Sequence, residues 1–480
     1  MSRKAKYLLL AIVICLSGLR LWHLKADFTV APFYSQEKAA LTDEGFYTGA
    51  ALHHFELGQA YLPGGWNPGV FMPIWPVLVG GVFHFTGISI VAARTLAVVC
   101  TWLSVLLAYA VTRQYRSQKF AMAVALLMAA NSLGFIFSRL AILEPAFVFF
   151  LLLAVYVAGK LRPGNYFLAA TVGFIFVVLT LTKTTGPFVL PAVLYPIWVK
   201  NRESRPDAWK LLGTALAVIF ICLGTAKFIW ARHYASDIQI ILGIAPLWQL
   251  THSLPRLVRF FFRGTWIDPV LFPLALAGFV AAAFRLRFLW RDPLFMLAFL
   301  WETGYAGFIV FHYDGPPRYF VPLIVPTIWL GLLFWQWLWQ QHRLAGQVAA
   351  ACIAASLCWN LFMIGSYLAH PRYTLVQAAA QVKSIIKNAP SVNPLLIGRG
   401  ADQISLLSDG FPSMDRDGML PVAEKIKMYR PGWYMDWREY DQPTRLPEVD
   451  HFQFIERDKF LIRGPQGQMY LTLFQIVPVS

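Results

Sequence analysis

Acidic side chains are scarce in this chain and cysteines scarcer: 480 residues carry 25 Asp and Glu against 41 Lys and Arg, with five cysteines. Cys15, Cys100, Cys222, Cys352 and Cys358 each lie in an apolar stretch without metal-ligand spacing, so neither a disulfide framework nor a zinc site organises the fold. A Walker phosphate loop is missing, which argues against an ATP-driven pump, and Gly398-Arg399-Gly400 has too few glycines for a dinucleotide fingerprint and reads as a strand-to-helix turn. No soluble module interleaves a basic face with aromatics, so nucleic acid is not an expected partner. What the chain has instead is hydrocarbon: 58% of residues are hydrophobic, 38 are Phe and 18 Trp, and only 14% are charged. That exceeds what a soluble core of this size buries and makes the chain a polytopic membrane protein.

Run length and flanking charge predict about 11 spans, at 7–24, 90–112, 119–137, 146–159, 165–182, 184–199, 211–231, 267–284, 293–311, 319–339 and 344–366. Alternate loops hold Arg113, Arg116 and Lys119; Lys160 and Arg162; Lys200, Arg202, Arg205 and Lys210; Arg285, Arg287 and Arg291; and Arg343. This regular positive-inside pattern sets the N-terminus in the cytoplasm and the C-terminus outside. The apolar stretch 71–87 is left out of the spanning set because Pro73, Pro76, Gly80, Gly81 and His84 interrupt it and because a span there would turn the basic 113–119 loop outward. Residues 25–89 then form one long outer loop, with an amphipathic helix at about 45–58 and a second helix in the interface.

The last 110 residues read differently. From Pro371 onward 13 basic and 12 acidic side chains nearly balance, so the excess positive charge belongs to the membrane part, where it is a topology and lipid signal. A helix at about 374–388, a strand and turn at 394–400, a helix from Asp402, and strands near 432–436, 452–456, 459–463 and 469–476 predict a small α/β extracytoplasmic domain. The expected organisation is a mainly α helical bundle over 1–370, with the outer loop 25–89 in it, and that small domain over 371–480.

Within this frame the acidic pair Asp43-Glu44, followed by Gly45-Phe46-Tyr47, stands out. Ionisable groups at a membrane edge are functional candidates because hydrocarbon cannot solvate them; the pair also reads as a solvated cap for a helix starting near Gly45. Other charges gather on the same side: Arg139 and Glu144 in Ser138-Arg139-Leu140-Ala141-Ile142-Leu143-Glu144-Pro145; Lys183; Arg232, His233, Asp237, His252, Arg256, Arg259, Arg263 and Asp268 after the seventh span; and His312-Tyr313-Asp314-Gly315-Pro316-Pro317-Arg318-Tyr319 after the ninth. Outer loops are normally depleted of arginine, so these residues suggest a bound anion, although singly Arg256, Arg259 or Arg263 also reads as a snorkelling side chain.

Asp-Glu-x-x-Tyr in the first outer loop, Arg-x-x-x-x-Glu-Pro in the second, Leu181-Thr182-Lys183 before Gly186-Pro187, and Arg318-Tyr319-Phe320-Val321-Pro322 with Pro326 together resemble the C-type integral-membrane glycosyltransferases, nearest the protein O-mannosyltransferases and the lipid A aminoarabinose transferases. The resemblance covers about residues 1–370. It implies transfer of a sugar from a polyprenyl-phosphate donor to a lipid, glycan or protein acceptor on the outer face, with inversion, in a bacterial inner or plasma membrane. It makes Asp43 the catalytic carboxylate and Glu44 its neighbour, so that the pair are the candidate catalytic residues, with Asp43 read as the general base. Glu144 falls where relatives often have Asp, and Asn67-Pro68-Gly69 replaces the Lys-Pro-Pro that many carry in this loop.

A positioned carboxylate that takes the acceptor proton as the bond forms is worth roughly 10²–10⁴ in rate. Charge growing on the leaving phosphate calls for cations, and Arg139, Lys183, Arg256, Arg259 and Arg318, with Tyr319 beside the last, are the candidate donor-phosphate residues. A divalent metal held by Glu144 and Asp43 is the other means of stabilising it. The alternative class is a multi-pass lipid or glycolipid transporter or flippase. Such proteins show related halves and ionisable groups along a path through the bilayer, whereas here no repeat of 1–190 appears in 191–366 and the charges gather at one face.

Overall fold

A computed structural model describes residues 3–27, 43–229, 253–284, 290–311, 316–439, 446–464 and 467–479. Arg232, His233, Asp237 and His252, Arg285 and Arg287, and His312, Tyr313, Asp314 and Gly315 lie outside the described residues. The chain folds as two compact units, one of Met1–Trp22, Val98–Ser138 and Leu143–Ser366, the other of His23–Ala97, Arg139–Ile142 and Tyr367–Ser480. The boundary expected at 370/371 keeps the first outer loop with the helical bundle; by packing, the described residues of that loop belong with the C-terminal region.

The first unit is helical. By length and composition five described helices of the whole chain can cross a membrane, at Ile90–Arg113, Arg205–Ala226, Pro293–Phe311, Pro317–Gln341 and Arg343–Ala369, and seven shorter helices are apolar, among them Ile74–Thr86 of the second unit, in the stretch read as non-spanning. Three expected spans are divided, the span at 319–339 opening in the 3₁₀ turn Pro317–Leu323 before the helix Ile324–Gln341. The stretch 119–137 divides into Gln118–Ala130 and Ser132–Phe137 at Asn131, whose extended backbone and side-chain acceptor restart the helix by taking the Gly134 N–H at 2.8 Å. The stretch 184–199 opens as a 3₁₀ turn at Gly186–Val189 before the helix Leu190–Lys200. Buried polar side chains tie the helices together. Asp268 accepts from Ser356 and from Asn360, and Asn360 in turn accepts from the Ser132 N–H.

The second unit is built on a mixed five-stranded sheet in the order β2-β1-β3-β5-β4, with β1 Leu396–Gly398, β2 Ser413–Asp415, β3 Trp433–Glu439, β4 Phe452–Gly464 and β5 Gly467–Pro478. β1 is parallel to β2 and β3; β5 is antiparallel to β3 and β4. The two strands expected at 452–456 and 459–463 are one, interrupted by a bulge between Glu456 and Asp458. Gly398-Arg399-Gly400 is a strand-to-helix turn, and Gly400 takes the left-handed φ of 71° just before the helix Ala401–Leu407.

Leu62 of the first loop joins Ile397, Met414, Ile426, Tyr434 and Phe474 in the core of this unit. The helix Glu44–Leu57 buries Glu44, Tyr47, Thr48, Ala51, Leu52 and His53. The amphipathic helix expected at 45–58 is thus a packed one. Gly45 lets it approach the helix Ala401–Leu407, since a Cβ there would fall 2.2 Å from the Gln403 backbone nitrogen.

Candidate functional site

Two neighbouring carboxylates of the second unit differ in environment. Glu44 is fully buried, and both of its oxygens are taken: Oε1 accepts from Arg94 Nε at 2.7 Å and from the Ala141 N–H at 2.8 Å, Oε2 from Arg94 at 2.7 Å and from Gln403 Nε2 at 3.1 Å. Arg94 Nη1 donates to the Leu24 and Ala26 carbonyls, at 2.7 and 2.8 Å. Gln403 closes the ring by accepting the Gly45 N–H at 2.6 Å. Such a bidentate, desolvated pair fixes geometry, and removing one partner strands a buried charge at a cost of about 3–5 kcal/mol. Asp43, one residue earlier, is half-buried at the N-cap of the same helix, in helical backbone and without a capping bond from its side chain.

The first unit holds a second cluster. Glu144, in the first turn of Leu143–Ala158, is fully buried; its Oε1 accepts from Lys183 Nζ at 2.6 Å and lies 3.8 Å from Arg318 Nε. Lys183 ends the helix Tyr166–Thr182 and Arg318 sits in the 3₁₀ turn Pro317–Leu323, so one carboxylate gathers two cations from distant parts of the sequence. The Tyr319 ring packs against both, with Lys183 Nζ 4.4 Å and Arg318 Cζ 5.2 Å from its centre. Glu144 Oε2 is buried without a hydrogen-bond partner, and close by the buried Tyr305 hydroxyl has Thr185 as its hydrogen-bonding neighbour and Glu144 as its charged one. Buried polar atoms are nearly always satisfied, so the unpartnered Glu144 oxygen marks a place for a ligand's hydrogen bond.

The expected phosphate residues are divided. Lys183, Arg318 and Tyr319 converge. Arg139 belongs to the second unit, where it donates to the His23 carbonyl at 3.0 Å and stacks 5.1 Å from the Tyr367 ring; burial lowers its pKa and the Tyr367 phenol opposes the change. Arg256 and Arg259 ride on the helix Ser253–Arg263, where Arg256 reaches the Phe311 carbonyl at 3.4 Å and Arg259 is exposed. Arg94, Gln403, Tyr305 and Thr185 were not identified from sequence. Only Arg94 carried a signal there, as an arginine near the start of a 24-residue apolar helix.

A divalent cation does not fit these carboxylates. Among the described residues no group of three or more His, Cys, Asp or Glu is arranged for a metal. Glu144, expected to share a cation with Asp43, already faces Lys183 and Arg318, whose charges would repel one.

A family model described as dolichyl-phosphate-mannose-protein mannosyltransferase matches residues 51–254. Among solved structures the chain is similar to ArnT from Cupriavidus metallidurans bound to undecaprenyl phosphate, at 13% identity over 98% of each chain and a TM-score of 0.61. It is also similar to the Archaeoglobus fulgidus oligosaccharyltransferase in complex with Zn and sulfate, at 12% identity over 88% of this chain and 67% of that one, with a TM-score of 0.52. At these identities the structural likeness is one of fold. No curated protein matches the sequence.

Proposed function

We propose that this chain, a membrane glycosyltransferase with the C-type fold, moves a sugar from a polyprenyl-phosphate carrier to an acceptor hydroxyl with inversion, and that Asp43 is the general base. In the step, the acceptor oxygen bonds to the anomeric carbon while its proton passes to Asp43. The bond from that carbon to the phosphate oxygen breaks, and the electron pair leaves with the lipid phosphate.

The observation that carries this reading is the Glu144 cluster: Lys183 and Arg318 on one carboxylate oxygen, with the other oxygen buried and unpartnered. Two cations suit the charge that grows on the departing phosphate. The free Glu144 oxygen suits a hydroxyl of a bound sugar. Undecaprenyl phosphate in the ArnT structure, and a lipid-phosphate sugar in the name of the matching family, support the same donor class. Asp43 is the better base of the acidic pair because every Glu44 oxygen already accepts two hydrogen bonds; Glu44 holds the helix that presents its neighbour.

Asp43→Asn keeps the shape and removes the base. Single-turnover transfer by the purified full chain, with undecaprenyl-phosphate mannose as probe donor and a lipid and glycan extract of the source cells as acceptor, is expected to fall by at least a hundredfold, with undecaprenyl phosphate binding unchanged. A loss below threefold removes Asp43 from the role.

A further inference from the structure

The first N–H groups of a helix have no partner within it, and an acidic N-cap ordinarily takes one of them, at the second or third residue, with its own carboxylate. The helix Glu44–Leu57 of the second unit departs from this. Asp43 stands at its N-cap in helical backbone, φ −76° and ψ −29°, and its side chain makes no capping bond. The N–H of Gly45, the second residue, goes instead to Gln403 Oε1 at 2.6 Å. A side chain 358 positions away does the capping, and the carboxylate of Asp43 is not drawn back onto its own helix.

Gln403 is matched to this place. Fully buried, it also donates from Nε2 to Glu44 Oε2 at 3.1 Å, so one amide holds the N–H of one residue and the carboxylate of the residue before it. That needs an acceptor and a donor on one planar group; an ionised glutamate at 403 would only accept, and would set a second carboxylate against Glu44. Its neighbour Asp402 grips the same helix further along. Asp402 Oδ1 lies 3.0 Å from His53 Nε2 and accepts from Ser413 Oγ at 2.7 Å. Gly45 and His53 are eight residues apart, about 12 Å along the axis, and two holds at that spacing fix the direction of the helix as well as its start. Both holding residues belong to Ala401–Leu407, which follows β1 through the turn at Gly400, so the sheet is the frame on which the acidic pair is mounted.

We propose that Gln403 is a positioning residue for sugar transfer: by capping the helix in place of Asp43 it keeps the Asp43 carboxylate aimed at the acceptor hydroxyl. The inference rests on the reading of Asp43 as general base, and it gives the C-terminal region a part in the chemistry. Without the Gln403 amide the Gly45 N–H loses its acceptor, and the ordinary cap for it is the Asp43 carboxylate itself. A catalytic group misplaced by about 1 Å can cost about a hundredfold in rate.

The test uses the full chain in nanodiscs, with undecaprenyl-phosphate mannose as donor and the lipid and glycan extract as acceptor. Single-turnover transfer gives a rate constant, and the number of undecaprenyl phosphate sites per chain gives the folded fraction. A chain that is only destabilised loses sites while the remainder transfers at the native rate; a misplaced base keeps its sites and slows. Gln403→Met, similar in length but without either hydrogen bond, is expected to keep its sites and their affinity and to transfer about tenfold to a hundredfold more slowly. Added to Asp43→Asn, it should slow transfer by less than about threefold more, because the group it positions is already gone. A native rate constant in Gln403→Met, or a loss that multiplies in full with that of Asp43→Asn, overturns the positioning role. If Gln403→Met does not fold, Gln403→Asn, one methylene shorter and still an amide, carries the same expectations and the same refutations. A slow Asp43→Asn beside a native-rate Gln403→Met leaves the base standing and removes the positioning. Asp43→Asn at the native rate removes the base, and the positioning with it.

Discussion

Lys183 and Arg318 meet the same oxygen of Glu144 at different ranges, 2.6 and 3.8 Å, and their substitutions are expected to differ accordingly. A charge-assisted contact to a phosphate is worth about 1.5–3 kcal/mol, so Lys183→Ala and Arg318→Ala should each weaken undecaprenyl phosphate binding tenfold or more. Lys183→Ala also leaves a fully buried carboxylate short of its nearest cation and should lower the melting temperature of the protein; Arg318→Ala should do so less. Arg318→Lys keeps the charge but loses the planar fork and its stacking on Tyr319, and should bind at an intermediate strength. Free substitution by Lys would make Arg318 a helix-end anchor, and unchanged affinity in both alanine variants would move the phosphate site to Arg256 and Arg259. At this scale the sequence showed which side chains were exceptional but not their roles. Asp43 and Glu44 look alike in the chain. What separates them is Arg94, fifty residues on, and Gln403, in the C-terminal region, and no local pattern reports such pairings.

Helices and strands were legible where a local signal decides them. The span expected at 293–311 coincides with Pro293–Phe311, and the helix from Asp402 with Ala401–Leu407, because hydrophobic run length and turn residues set their ends. The helix expected at about 374–388 was legible too, but its cap was not, because a distant residue supplies it. The helix Thr374–Lys387 has Tyr373 at its N-cap, which offers no side-chain bond; its cap is Asp27, which accepts from Thr374 Oγ1 and the Leu375 N–H at 3.0 Å each, and from the Val376 N–H at 3.3 Å. Losing a cap costs about 0.5–2 kcal/mol, so Asp27→Ala should reduce hydrogen-exchange protection over the first turns of this helix by roughly fivefold to tenfold and leave the β4–β5 hairpin unchanged. The pH dependence follows from burial, which outweighs the three donors and raises the Asp27 pKa. A raised acid binds more protons in the folded state than in the unfolded one. Its contribution is therefore greatest below the unfolded value of about 3.9 and is lost as pH climbs through the folded value. Protection of residues 375–380 should decline over that window in the native chain, and Asp27→Asn should flatten the decline.

For the molecule as a whole, the two compact units bear on membrane orientation. One unit gathers three separated segments, His23–Ala97, Arg139–Ile142 and Tyr367–Ser480. Segments that pack into one small unit must emerge on the same side of a bilayer, since irregular backbone and a mixed sheet cannot be satisfied in hydrocarbon. The positive-inside rule, which knows nothing of packing, assigns the loop 25–89, the turn at Arg139 and everything after about Tyr367 to the outer face. The basic loops it assigns to the cytoplasm, at 113–119, 160–162, 200–210, 291 and 343, all fall in the other unit. Charge and packing are independent arguments, and both keep these three segments together, while the other unit holds the basic loops along with Lys183 and Arg318 of the expected outer face. Glu203 and Asp417 are both exposed, one in a basic loop and one in the unit with the sheet. Cysteines placed there, in a background without the five native ones, should behave oppositely toward a membrane-impermeant maleimide in intact cells: Asp417→Cys labels at once, and Glu203→Cys only after permeabilisation. Labelling at 203 but not at 417 would invert the orientation and put the acidic pair Asp43-Glu44 on the cytoplasmic side, and labelling at both would break the link between a shared unit and a shared face.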